Sequence, residues 1–168
     1  MSARIGIEKD EGETVWLGGI GVVYKVSGSE TDQAFSIIEH IIKPGTMTPP
    51  HRHTREHEFS YVLEGVLGAE VGGVVVHVQP GGFALKPKGI PHTFWNEGPG
   101  ILRFLEFISP SGFERYFREV SKLIGPTGPP DEKALGALAA KYGLELNMER
   151  APELMQRFKV QVFGPAPP

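Results

Sequence analysis

Short apolar runs closed by glycine or proline recur about every ten residues from Thr14 to Pro110, a spacing that suits strands and leaves little room for helices. Residues 14–26, "TVWLGGIGVVYKV", read as strand pieces broken by Gly18, Gly19 and Gly21. In "AFSIIEHIIKPG", Phe35, Ile37, Glu39 and Ile41 alternate with Ser36, Ile38, His40 and Ile42. Both sets are mostly apolar, so both faces of this strand are expected to be covered. Gly72-Gly73 between two valine-rich runs signals a tight hairpin. About eight strands follow from this pattern, which predicts an all-β sandwich or barrel. The 22 glycines and 15 prolines form no low-complexity tract; they punctuate the runs.

After Pro110 the period changes. Ser111 and Glu114 have the spacing of a capping box, and Phe113, Phe117, Val120 and Ile124 recur at helical intervals. Gly125-Pro126 is expected to stop that helix. Asp131 opens a second, with Ala134, Leu135, Leu138 and Tyr142 as its apolar face and Gly143 at its end. Pro152–Phe158 suggests a third. The expected organisation is a β-domain over residues 1–110 and a helical extension over 111–168 that packs on the barrel or on a dimer partner.

A formal net charge of −3 and no Lys/Arg run argue against nucleic-acid or membrane partners. The absence of cysteine excludes disulfides, thiolate metal sites and a cysteine nucleophile. The polar, acidic start "MSARIGIEKDEGETVW" has no apolar stretch of signal-peptide length, so a cytoplasmic protein is expected.

Titratable side chains crowd into "PPHRHTREHEFSYVLEG". His51 and His53 are two apart and share a face of an extended segment. A turn over residues 54–57 resets the parity, so Glu58 can face the same interior point. Three ligands are few for a buried transition metal, and His92, after the turn "PKGIP", is the best candidate for a fourth. Three imidazoles and one carboxylate suit one divalent ion of iron, manganese, nickel, cobalt, copper or zinc, and not magnesium or calcium. His57 points the other way by strand parity; Glu56 lies in the turn and is expected to be solvated.

These residues fill two motifs. Gly45, His51, His53, Glu58 and Gly65 fit G-x5-H-x-H-x4-E-x6-G; Gly81, Pro87, Gly89, His92 and Asn96 fit G-x5-P-x-G-x2-H-x3-N. The pair, at 45–65 and 81–96, resembles the two motifs of the cupin superfamily, and the single pair resembles a one-domain cupin. "RFLEFISPSGFERYF" and the overall layout resemble small bacterial quercetin-dioxygenase-like cupins. The resemblance implies a double-stranded β-helix, a jelly-roll barrel, with C-terminal α-helices. It also carries the family's metal ligands onto His51, His53, Glu58 and His92.

Four protein ligands on an octahedral ion leave two positions for water, dioxygen or a bidentate substrate. Glu58 is the candidate catalytic residue, since a carboxylate that loosens from the metal can take a substrate proton. Expected pocket residues are Phe35, Ile37, Val62, Phe94 and Phe104, with His40, Glu39 and Glu106 as polar members. Such a pocket suits a small aromatic or enolic molecule, so a dioxygenase is the leading expectation. A non-catalytic metal- or ligand-binding module and a redox-neutral isomerase or decarboxylase are the alternatives. A homodimer is expected, through pairing of the N-terminal strands as in many cupins.

Overall fold

A computed structural model describes residues 5–124 and 131–164, so Gly125-Pro126 and the ends of the helical extension lie outside the described residues. The strands are β1 (Thr14–Leu17), β2 (Ile20–Val26), β3 (Ser36–Ile42), β4 (Thr46–Met47), β5 (His51–His53), β6 (His57–Glu64), β7 (Leu67–Val71), β8 (Val74–Val78), β9 (Phe83–Lys86), β10 (His92–Asn96) and β11 (Leu102–Ser109). Then come α1 (Glu114–Val120), α2 (Glu132–Lys141), β12 (Leu144–Leu146), α3 (Ala151–Phe158) and β13 (Gln161–Val162). No helix among the described residues is long and apolar enough to cross a membrane.

Two sheets face each other, as a double-stranded β-helix requires. One has the order β1-β2-β3-β11-β6-β9. In the other, β10 pairs with β7 on one side and with β4 and β5 on the other, and β12 and β13 extend it. Gly72 and Gly73 both take positive φ, 58° and 83°, and close the β7–β8 hairpin with Val71 opposite Val74.

The alternation of β11 shows which way the first sheet faces. Leu102, Phe104, Glu106 and Ile108 are buried, whereas Arg103, Leu105 and Phe107 are half-buried outside. Register then fixes β3: His40 stands opposite Phe104 and Ile38 opposite Glu106. Ser36, Ile38, His40 and Ile42 therefore face inward. Phe35, Ile37 and Glu39 do not reach the interior, contrary to expectation, because they occupy the outward parity of a strand apolar on both faces. Phe35 is 39% exposed, so the outer face is only partly covered. Glu39 instead meets Arg103 and, at 3.6 Å, Lys25 on the outer surface.

The inward set extends through Glu58, Ser60 and Val62 on β6 and Ala84 and Lys86 on β9. Strand β9 inverts the usual pattern: Phe83 and Leu85 are 59% and 58% exposed while Lys86 is 1% exposed. In the second sheet every residue of β10 is buried. His92 joins the inward cluster of donors and Phe94 lines the interior cavity; Trp95 packs outward on Phe158 of α3, ring centroids 4.1 Å apart.

The C-terminal extension covers one end of the barrel. Phe113, Tyr116, Phe117 and Val120 pack into the core from α1, and Leu144 and Leu146 approach beside the histidine strand, opposite His53 and His51. Asp131 caps α2 by accepting from the Lys133 amide at 2.9 Å. The capping box at Ser111 does not form. Ser111 Oγ donates to Gln33 Oε1 at 3.1 Å, and Glu114 turns inward to accept from Gly112 N and from Ser36 Oγ. The helix starts at Glu114 because that carboxylate is drawn to a buried hydroxyl of β3.

Candidate metal centre

Strand β5 is the scaffold of the site. Arg52 is exposed, so His51 and His53 on either side of it both point inward. The β10–β5 register puts His92 directly opposite His51. Glu58 enters from β6 in the other sheet. One donor atom from each of His51, His53, Glu58 and His92 lies within 4.8 Å of all the others, and all four residues are buried.

The histidines are oriented from behind. His51 Nδ1 is 2.6 Å from the Pro49 carbonyl and His92 Nδ1 is 3.0 Å from that of Ile90. Each Nδ1–H is thereby committed to a carbonyl, which leaves Nε2 with its lone pair toward the site. His53 has Glu56 behind it, with Oε2 at 3.5 Å from Nδ1. Glu56 is buried, not solvated as expected of a turn acid, because it packs against that imidazole.

The donors converge on a common point more than they pair. His53 Nε2 and His92 Nε2 approach the two Glu58 oxygens at 3.3 and 3.4 Å, yet neither nitrogen has an aligned hydrogen bond. Buried polar atoms left this way are costly, about 1–3 kcal/mol each, unless another group satisfies them. A divalent transition ion is the group that this donor set and this convergence fit.

Burial pulls His51 well below the usual imidazole range and lowers His92 too, so both favour the neutral form a ligand must have. Burial acts the same way on His53, but the Glu58 and Glu56 carboxylates outweigh it and hold that imidazole up at about 9. Burial would raise Glu58; the neighbouring His53 and Lys86 charges outweigh it and keep the carboxyl well below its ordinary range.

Lys86 was not legible as a site residue. Its side chain is fully buried, with Nζ 3.5 Å from Glu58 Oε2 and in contact with Glu106 Oε2. Ser60 Oγ donates to the same Glu106 oxygen at 3.0 Å. Burial pushes Glu106 up to about 7 and pulls His40 down to about 3.

A cavity of about 50 Å³ opens beside the donors, lined by His51, Glu58, His40, Glu106 and Phe94 and closed by Phe117 of α1. At roughly 10–15 Å³ per water, it has room for about four. Phe94, His40 and Glu106 are among the residues that line it. Val62 and Phe104 face inward but belong to the packed core around it, and Phe104 meets the cavity wall through His40 and Phe94, at 4.9 and 5.1 Å between ring centroids. The apolar stripe of α1 is visible in the sequence, but the surface it docks on is not.

Residues 38–108 match the model of the Cupin domain family. Over 105 residues the chain is 28% identical to the HTH-type transcriptional regulator PuuR of Escherichia coli, a match covering 62% of this chain. The chain spans only 57% of the regulator's length. Among solved structures it is similar to a predicted oxalate decarboxylase from Thermotoga maritima, with 20% identity, TM-score 0.58, and coverage of 63% of this chain and 99% of the other. It is also similar to the polyketide cyclase RemF from Streptomyces resistomycificus, with 27% identity, TM-score 0.55, and coverage of 64% and 80%.

Proposed function

We propose that this chain, whose residues 38–108 match the Cupin domain family, is a metal-dependent enzyme for a small aromatic or enolic substrate, with dioxygenation as its reaction. The observation that carries this reading is the junction of two environments: a donor set of three histidines and one glutamate and an aromatic-walled cavity share His51 and Glu58. His51, His53, Glu58 and His92 would hold the ion. Once bound, a redox-active transition metal supplies Lewis acidity toward an enolic oxygen and the capacity to activate dioxygen.

The protein's own groups do the rest. Phe94 and Phe117 give the substrate ring an apolar wall and keep water out. Glu58 faces the cavity as a carboxylate, so it can accept the enol or phenol proton as well as hold the ion. Lys86 beside it stabilises the ionised form.

The test is oxygen uptake by protein loaded in turn with iron, manganese, nickel, cobalt, copper and zinc. Catechols, β-diketones and flavonols serve as substrates, and the small cavity favours the single-ring and acyclic ones. Uptake is expected with at least one redox-active ion and none with zinc. No uptake with any combination removes the dioxygenase reading. A redox-neutral reaction is the second reading, supported by Glu106, a buried carboxyl at the cavity wall, and by the likeness to a polyketide cyclase. Turnover with zinc and without oxygen would favour it.

The homodimer is part of the same proposal. Leu63, Phe83 and Leu85, 41–59% exposed on the outer sheet face, support burial against a second copy. Light scattering at micromolar concentration should give twice the chain mass; a monomer would remove this part.

A further inference from the structure

Apart from Ser36, whose hydroxyl is taken by Glu114, the inner face of the six-stranded sheet is polar along one diagonal. Glu58 and Lys86 are cross-strand partners, Ser60 stands opposite Glu106, and His40, opposite Phe104, follows as Glu106's diagonal neighbour. Most of the hydrogen-bonding capacity on this diagonal is used. Glu106 Oε2 takes both the Ser60 hydroxyl and the Lys86 ammonium. Two atoms have no partner among the described residues: Glu106 Oε1 and His40 Nδ1. Both residues are almost fully buried, 1% and 2% exposed, and both line the cavity beside Glu58.

The surroundings of His40 make its polarity hard to explain by packing. Phe94, Phe104 and Phe117 surround its ring at centroid distances of 4.9–5.5 Å. A phenylalanine would suit that cage and leave no orphaned nitrogen. Burial keeps the ring neutral, and a bond to the Gly21 backbone uses the other nitrogen. Nδ1 is therefore a lone pair in an apolar chamber, able to accept from an O–H donor. Glu106 Oε1, whose partner oxygen is held by Lys86 and Ser60, is an acceptor of the same kind in the ionised form.

We propose that His40 Nδ1 and Glu106 Oε1 form a hydroxyl-accepting pair in the cavity wall, which selects a small ring carrying a hydroxyl besides the oxygen presented to the metal donors. This rests on the aromatic or enolic reading above and narrows its substrate to hydroxylated single rings. The two acceptors are specificity residues for that hydroxyl. A hydroxyl gives its one hydrogen to one acceptor of the pair at a time; a ring without it satisfies neither, and sites built to bond a substrate hydroxyl discriminate strongly against analogues lacking it.

The test is binding of phenol and benzene to the full chain stripped of metal with chelator, read by NMR titration. Stripping separates this pair from any bond between a phenol and an ion. Phenol should bind at least about tenfold more tightly than benzene, the effect of one hydrogen bond to a buried acceptor. In His40→Phe the preference should collapse, with benzene binding as the control for an intact cavity. Equal affinity for the two probes overturns the proposal, as does no saturable binding of either, or a preference that His40→Phe retains. If His40→Phe does not fold, His40→Leu takes its place with the same outcomes. Preference without oxygen uptake removes the dioxygenase reading and leaves the pair; uptake without preference does the reverse.

Discussion

Lys86→Met should destabilise the protein by about 3–5 kcal/mol, the range for removing one partner from a buried ion pair. The denaturant midpoint should fall with little change in slope. Lys86 sits between two buried carboxylates, 3.5 Å from Glu58 and in contact with Glu106. It also lies over the Phe94 ring, 5.0 Å from the centroid. Methionine keeps most of the packing volume and removes only the charge, which leaves two desolvated carboxylates facing each other. If that electrostatic account is right, Lys86→Met with Glu106→Gln should cost markedly less than the sum of the two single changes. A Lys86→Met variant within about 1 kcal/mol of the parent, well short of the buried-pair range, would show that the pair contributes little and that the buried charge is compensated elsewhere.

The same lysine shows where reading the sequence stops. His51, His53, Glu58 and His92 are legible because ligand spacing follows from strand period and turn length, both local properties. Lys86 lies in "FALK", where ordinary patterning puts Phe83 and Leu85 inside; the reverse holds because its two acidic partners come from β6 and β11. On β3 the parity is undecidable locally, since both of its faces are apolar. Only the register with β11 turns His40 in and Glu39 out. On β11 Glu106 turns in and Arg103 out, because Glu106 meets the buried Lys86 and Arg103 meets Glu39. Glu56 looks like a solvated turn acid until the fold sets it against His53. The α1 stripe could be read, but that it closes the cavity depends on the barrel presenting an open end there.

Zinc or another divalent transition ion should raise the melting temperature substantially, and loss of any one ligand should abolish the effect. An ion present at about a thousandfold its dissociation constant stabilises the folded state by about 4 kcal/mol. For a chain of this length that corresponds to roughly 8–16 °C. Calcium and magnesium should give little, because three of the four donors are imidazoles. Elemental analysis after dialysis should find about one ion per chain in the parent, as four ligands around one point imply, and far less in His51→Ala, His92→Ala or Glu58→Ala. His57→Ala and His77→Ala are the controls, since His57 accepts from the Lys88 amide and His77 pairs with Glu97, both at the surface. Their metal content should match the parent's. Burial matters here as much as ligand identity: His53 and His92 carry buried nitrogens aimed beside one carboxylate without hydrogen-bonding it, and a cation relieves that arrangement while a proton relieves it only at His53. A parent protein that keeps no ion through dialysis and shows no shift with any of the six would leave those nitrogens unexplained and remove the chemistry proposed for the cavity.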